Sequence, residues 1–76
     1  MKLTTGTIIT WQCMNGGMVG TIKSIHLSPS AAGTIAPWVI IHRICNLDTN
    51  ERQLNEVMLC GTPNNLAMMQ VEVAPC

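Results

Sequence analysis

Charged and aromatic residues are scarce in this sequence. Charged side chains make up 11% of the 76 residues and sum to a formal net charge of zero, whereas they make up roughly 25% of a typical soluble domain. Phe and Tyr are absent, and the two aromatic residues are Trp11 and Trp38. Four scattered basic residues neutralise phosphate groups poorly, so we do not expect nucleic-acid binding. Neutral polar or apolar groups must therefore cover much of the surface.

Several functional motifs are also missing. No apolar run approaches the roughly 18 residues of a membrane-spanning helix, and the segment after Met1 does not read as an apolar secretory signal. We therefore expect a cytoplasmic protein with no membrane partner. The sequence has no Gly-x-x-x-x-Gly-Lys phosphate loop and no dinucleotide fingerprint, and no motif frames a Cys–His pair. We expect no enzyme activity and no cofactor.

The cysteines are spaced too widely for a zinc site of the usual kind, because no Cys-x-x-Cys pair occurs. We therefore expect no metal ion. In a reducing compartment, Cys13, Cys45 and Cys60 are predicted to be small buried hydrophobic residues, and Cys76 to be an exposed thiol. If the protein is exported, two disulfides are the alternative, with three pairings open.

The strongest structural signal is the segment Met14-Asn15-Gly16-Gly17, which lies between two runs rich in β-branched residues. Asn-Gly favours a type I′ turn, because both central residues of that turn need a positive φ. With Asn15 and Gly16 at its centre, the predicted strands are 7–13 and 18–26. Three pairs then face each other on the core side: Cys13 with Met18, Trp11 with Gly20, and Ile9 with Ile22.

A second strand pattern follows a ten-residue segment at 27–36, which is rich in Ser, Pro, Ala and Gly and is predicted to be a loop. The strand at 38–45 is apolar on both faces. One face carries Trp38, Ile40, His42 and Ile44, and the other carries Val39, Ile41, Arg43 and Cys45. Because a small domain has one interior, one of these faces must be covered from outside, by a helix of the same chain or by a second subunit.

The segment 48–60 is ambiguous. Asp48 as N-cap, Glu51 three residues later and a stripe of apolar residues predict a helix that ends near Gly61. The stripe is Leu54, Val57 and Met58. The alternative is a hairpin loop at 46–50 followed by a fourth strand at 53–60. The local signals favour the helix.

The C-terminal part is predicted to contain a turn at 61–65 and a last strand at 66–73, apolar at alternate positions. We find no internal repeat and no second domain. The chain is therefore expected to form one domain over residues 1–76.

The pattern Gly6-x4-Trp11, followed by Gly17-x2-Gly20-x-Ile22, resembles the opening of SH3-like small barrels of the Tudor and KOW type. The resemblance covers residues 6–26. It implies a mainly β, partly open barrel of four or five antiparallel strands, with a possible short helix around 49–60. Tudor modules bind methylated side chains in an aromatic cage, and KOW-type modules bind RNA or ribosomal partners through basic residues. Two tryptophans and four dispersed basic residues match neither activity well.

The low charge favours a non-enzymatic protein-interaction module, of adaptor or inhibitor type, that docks through an apolar barrel face and self-associates as a homo-oligomer. The methionines support this hypothesis, since Met recurs at adaptable binding surfaces. The predicted partner-binding residues are Trp38, Ile40, Ile41, His42, Met14 and Met68. One alternative is a homo-oligomer that binds a small ligand between subunits, through the 27–36 loop and Trp38. The other is a weak RNA- or DNA-binding module of the KOW type.

Overall fold

The computed structural model describes residues 3–74, and the expectation of an exposed thiol at Cys76 lies outside them. Within this range the chain forms six strands and one short helix. They are β1 (Ile8–Cys13), β2 (Gly16–Pro29), β3 (Ile35–Asn46), β4 (Arg52–Gln53), β5 (Val57–Cys60), α1 (Pro63–Met68) and β6 (Glu72–Val73). The expected mainly β fold is confirmed, although the strand count exceeds the expected four or five.

The strands form one antiparallel sheet with the order β4-β3-β2-β1-β6. Strands β4 and β5 pair with different parts of the same edge of β3. Among the described residues, no backbone pairing joins β6 to β4 or β5, so the sheet is open. The long strands β2 and β3 therefore form its centre.

The first hairpin forms where the sequence predicts it, but with a different turn. Cys13 pairs with Gly16, and the two residues between them make the turn. These two residues, Met14 and Asn15, have no positive φ, whereas Gly16, directly after them, has a φ of 105°. A type I′ turn needs a positive φ at both central residues and is therefore excluded. The expected register is wrong by two residues, since Trp11 pairs with Met18 rather than with Gly20. A two-residue shift leaves every side chain on its face, so the predicted core face is still the buried one.

The hydrophobic core lies on this face of the sheet. Its buried residues are Ile9, Trp11, Met18, Ile22, Val39, Ile41, Ile44, Leu59 and Val71. Packing is tight at Gly20, where an added Cβ would lie 2.5 Å from Ile41 Cγ2 and 3.2 Å from Trp11 Cη2. The Trp11 ring therefore lies close to Gly20, although the two residues do not form the predicted pair.

Strand β3 changes its buried face at Arg43. The pairing with β2 shifts at this point, and Arg43 has a φ of 53°. An extra residue of this kind is a β-bulge, which re-aims the side chains on either side of it. Neither of the two alternating faces predicted for the strand at 38–45 is therefore entirely buried. The buried residues are Val39, Ile41 and Ile44, whereas Trp38, Ile40 and His42 are half-buried on the opposite, outer face.

Residues 27–36 do not form the predicted loop. The ladder between β2 and β3 continues as far as Pro29, which pairs with Ile35, and only residues 30–34 connect the two strands. Most side chains of this hairpin end are exposed, so it extends beyond the core. We call residues 26–37 the arm.

The helix predicted at 48–60 is absent, and strands β4 and β5 occupy this segment. The side chain of Asp48 does not cap a helix but accepts the Gly17 backbone N–H through Oδ2 at 3.2 Å. Asn46 Oδ1 accepts the backbone N–H groups of Asp48 and Thr49, at 2.8 and 3.1 Å, which closes a tight turn. The structure thus adopts the alternative, a loop after residue 46 followed by extended chain.

The described chain has its one helix, α1, where the sequence predicted a turn and the start of a strand. Thr62 is the N-cap, and its Oγ1 accepts the Asn65 backbone N–H at 3.4 Å. Pro63 follows in the first turn, where its missing N–H costs nothing. A Thr-Pro pair is typical of a turn, but it is equally typical of the first residues of a helix.

Helix α1 ends at a left-handed residue. Gln70 has a φ of 53°, and the Val71 backbone N–H donates to the Leu66 carbonyl at 2.9 Å. The Gln70 N–H donates to the Ala67 carbonyl at 3.2 Å, which completes a Schellman-type helix end. The predicted strand at 66–73 is therefore wrong except for β6, which pairs with β1.

Candidate interaction surface

Charge is distributed unevenly over the fold. The charged residues of the described chain are Lys23, Arg43, Asp48, Glu51, Arg52, Glu56 and Glu72. None lies in residues 24–42 or 57–71, which contain the arm, β5 and α1. We call these two segments the charge-free region. They are in contact, because β5 pairs with β3 and the Gly61 N–H donates to the Pro37 carbonyl at 2.6 Å.

Large apolar side chains are exposed in the charge-free region. Leu27 and Ile35, both on the arm, are 77% and 65% exposed. Met58 on β5 and Met68 on α1 are also exposed. Exposed apolar side chains on segments without charged residues are typical of interaction surfaces.

Apolar side chains are also exposed at the other end of the sheet, but there they lie among charged residues. Met14, Leu47 and Leu54 belong to this end, with Leu54 97% exposed. Asp48, Glu51 and Arg52 lie in the same turn and in β4. We call the part of the sheet that contains these residues the charged end. Its exposed apolar side chains provide controls for substitutions in the charge-free region.

The outer face of the sheet carries a groove at the base of the arm. Trp38 donates its indole N–H to the Ser28 carbonyl at 3.3 Å, so its ring lies across the hairpin. His26 pairs with Trp38 in the ladder, and its Nε2 lies 3.0 Å from Ser24 Oγ. The groove measures about 370 Å³ and is lined by His26, Ser28, Pro29, Trp38 and Met58.

The inner face of the arm is the face that continues the core side of the sheet. Side chains alternate along a strand, so Leu27 and Pro29 lie on the same side as Ile25. Ile35, which pairs with Pro29, lies on this side as well. Ile25 packs against the core, whereas Leu27 and Ile35 lie beyond it and remain exposed.

A cavity of about 510 Å³ lies beside α1. It is lined by Gly61, Pro63, Leu66, Ala67, Gln70, Val71 and Glu72. Glu72 is the one charged residue in this lining, and it is exposed. The cavity adjoins the arm, because a Cβ added at Gly61 would lie 2.8 Å from the Pro37 carbonyl oxygen. We call it the α1 cavity.

The structure brings together three of the six predicted partner-binding residues. Trp38, Ile40 and His42 are neighbours on the outer face and are half-buried. Ile41 is fully buried in the core, so its assignment to a binding surface is corrected. Met14 lies in the turn of the first hairpin, at the charged end, and Met68 lies on α1. The six residues therefore do not form one surface.

The sequence prediction missed Leu27, Ile35 and Met58. Leu27 and Ile35 lie in the segment predicted to be a loop, and Met58 lies in the segment predicted to be a helix. The absence of charged residues from 24 to 42 was the available signal, because an exposed polar loop of that length would ordinarily contain some.

The thiols and histidines of the described chain do not form a reactive pair. Cys13 is exposed, contrary to the expectation of a buried thiol, because it is the last residue of β1 before the turn. Cys45 and Cys60 are half-buried. The thiol contacts of these three residues are with the Gly16 carbonyl, the Asn46 carbonyl and the Thr62 hydroxyl.

Within residues 3–74, no group of three or more His, Cys, Asp or Glu side chains is placed to hold a metal ion. No helix in this range is long and apolar enough to cross a membrane.

No protein-family model, curated protein or solved structure matches this chain. The charge-free region differs from the rest of the described chain in having exposed apolar side chains without charged residues.

Proposed function

We propose that this protein is a non-enzymatic interaction module that self-associates through its charge-free region. The observation that carries the proposal is that exposed apolar side chains, led by Leu27 and Ile35, coincide with a part of the fold that has no charged residue. Burying a charged group without a partner costs several kcal/mol in desolvation. A surface without charges avoids this cost and still gains from apolar burial.

We also propose that the fold is an SH3-like small barrel. The support is the path β6-β1-β2-β3-β5 through the sheet, together with a short helix directly before the last strand. The proposal extends the resemblance of residues 6–26 to the rest of the described chain. It says nothing about methylated or nucleic-acid ligands, because the aromatic and basic residues that they need are scarce.

A second copy of this chain is the partner that best fits the charge-free region. The net charge is zero, so copies do not repel each other over long distances. The arm is the exposed end of the β2–β3 hairpin, and its apolar side chains would gain from burial if another surface packed on them. A stable dimer needs about 800 Å² of buried surface per partner, a modest part of the 5250 Å² that the described chain exposes.

Sedimentation velocity over micromolar concentrations tests the proposal. We expect a dimer or a higher oligomer, and we expect Leu27→Lys to raise its dissociation constant at least tenfold. Leu27 is largely exposed, so this change should leave the fold intact, which circular dichroism checks. Leu54→Lys is the matched control, because Leu54 is equally apolar, more exposed and located at the charged end. A single species near 8.2 kDa at high concentration would disprove self-association.

The second candidate function is binding of a small apolar or aromatic ligand in the groove beside Trp38. The observation that favours it is the concentration of Trp38, His26 and Met58 around about 370 Å³ of surface space. Titration with a fragment library, followed by the NMR signal of the Trp38 indole N–H, tests it. The Trp11 indole is the internal control, since Trp11 is buried in the core. Identical shifts of both signals, or none, would exclude the groove.

A further inference from the structure

We infer that Asn15 is a site of spontaneous deamidation, and that the isoaspartate formed there weakens the contact between the first hairpin and Asp48. The modification needs no enzyme and no co-reactant except water. The inference does not depend on the proposed self-association, because Asn15 lies in the turn next to Met14, at the charged end and outside the charge-free region.

Deamidation of an asparagine begins when the backbone nitrogen of the next residue attacks the side-chain amide carbon. Here the Gly16 nitrogen forms a bond to Asn15 Cγ, and the bond between Cγ and Nδ2 breaks. The Nδ2 amino group leaves as ammonia, with the proton that the Gly16 nitrogen loses. Water then opens the resulting succinimide ring at one of its two carbonyl groups. Opening at Cγ gives aspartate, whereas opening at the main-chain carbonyl gives isoaspartate, whose backbone runs through Cβ and Cγ.

The residue after Asn15 favours this attack. Glycine has no Cβ beside its nitrogen, so a neighbouring group can approach its backbone closely. Asn-Gly occurs once in the chain, and the other asparagines are followed by Leu, Glu or Asn. Asn15 and Gly16 also lie at the end of a hairpin, where local opening costs less free energy than in the core strands. The attacking nitrogen is therefore least hindered at this asparagine.

The side chain of Asn15 is free to react. It is exposed, and its amide has no hydrogen-bond partner among residues 3–74. By contrast, Asn46 and Asn65 each donate Nδ2 to a backbone carbonyl, that of Asn15 at 3.0 Å and that of Cys60 at 2.7 Å. An amide without a partner can rotate until its carbon faces the neighbouring nitrogen. Exposure also lets water reach the succinimide.

The isoaspartate changes both the length and the charge of the turn. Asp48 Oδ2 lies against Gly16 and accepts the Gly17 backbone N–H at 3.2 Å. An isoaspartate inserts one extra backbone carbon directly before Gly16, which displaces the Gly17 N–H. The former Asn15 carbonyl, which accepts Asn46 Nδ2 at 3.0 Å, becomes a carboxylate and brings a second negative charge near Asp48. Both changes weaken the hydrogen bond that joins the two turns.

Ageing of the natural chain tests the site. The protein is incubated at neutral pH and physiological temperature, and peptide mapping by mass spectrometry follows deamidation at each asparagine. Asn50 is the internal control, because it is also exposed and its side chain also has no partner within the described residues, but Glu51 follows it. We expect Asn15 to react at least tenfold faster than Asn50, at a rate that rises with pH because the attacking nitrogen must lose its proton. Equal rates at the two residues would overturn the assignment.

Urea denaturation of the aged protein tests the effect on the turn. We expect its midpoint to fall below that of the fresh protein, in proportion to the isoaspartate formed. Aged Asn15→Gln is the control and should keep its midpoint, because the longer side chain closes the equivalent ring far more slowly. Asn15→Asp carries the added charge on a natural backbone, so its midpoint should lie between those of the fresh and the aged protein.

The outcomes separate the site from its consequence and from self-association. An aged protein that carries isoaspartate at position 15 and keeps the midpoint of the fresh protein would overturn the weakened contact with Asp48. A monomer by sedimentation would overturn the proposed self-association and would not affect deamidation.

Discussion

The Asp48 carboxylate accepts the Gly17 backbone N–H through Oδ2 at 3.2 Å, which joins the turn after β3 to the first hairpin. The contact is possible because Gly16, the preceding residue, has no side chain: a Cβ there would collide with Asp48 Oδ2. Asn46 strengthens the same junction by donating its Nδ2 to the Asn15 carbonyl at 3.0 Å. The charged end of the sheet is thus held by polar contacts between two turns.

Replacing Gly16 by Val should lower the free energy of unfolding by at least about 1 kcal/mol, because a β-branched residue tolerates a φ of 105° poorly. The collision with Asp48 adds to this backbone strain. Gly33→Val separates the two effects, since Gly33 also has a positive φ but has open space around it. Urea denaturation should show a larger loss for Gly16→Val than for Gly33→Val. Equal losses would show that the contact with Asp48 does not matter.

Replacing Gly20 by Ala should destabilise the core by about 1–3 kcal/mol, because the added methyl group overpacks it. Its Cβ would lie 2.5 Å from Ile41 Cγ2, and Gly20 has no positive φ that could account for the loss instead. Gly17→Ala is the control, since its Cβ would meet only movable side-chain atoms, the nearest of them Gln12 Nε2 at 3.3 Å. A thermal midpoint for Gly20→Ala equal to that of the natural chain would contradict the packing described here.

Replacing Gln70 by Gly should stabilise the protein by up to about 1 kcal/mol, because glycine adopts the left-handed conformation of a helix end without strain. Gln70 has a φ of 53° in this position. Gln12→Gly is the control: Gln12 lies in β1 without a positive φ, so its replacement should destabilise. Chemical denaturation of both variants checks the sign. A loss of stability in Gln70→Gly would refute the left-handed end of α1.

Nucleic acids should bind weakly at best, with no gel-shift complex below about 10 µM at physiological salt. Lys23 already forms a salt bridge with Glu56. Arg43 and Arg52 line one surface cavity, but Asp48 and Glu51 lie in the same end of the sheet. A tight complex whose affinity falls steeply with salt would instead support the KOW-type alternative.

Much of the first hairpin could be predicted because its signals are local. Alternation of apolar residues identified the buried face of β1 and β2, and this result survived the register error because two residues is one full period of a strand. The turn type was wrong because Asn-Gly permits more than one turn. In the structure Gly16 supplies the positive φ after the turn rather than at its centre.

The candidate surface could be predicted only in part. Low charge predicts an interaction surface, and two of the residues predicted for it, Trp38 and Ile40, lie half-buried on the outer face of β3. Their neighbour Ile41 is buried, because which of two apolar faces packs inward depends on the strands that pair beside it. The arm was missed because Ser, Pro and Gly, which are common in loops, also occur in the exposed end of a hairpin.

The sequence by itself determined the mainly β class, the position of the first hairpin and the lack of charge that distinguishes the arm and α1, because these depend on composition and on contacts between near neighbours. The tertiary structure decided the secondary structure of 48–60 and of 61–73. Asp48 could have capped a helix, but in the folded chain its side chain accepts the backbone N–H of Gly17, which is distant in sequence. Val57–Cys60 became a strand because β3 had a free edge beside it. Both choices depend on groups that only the folded chain brings together.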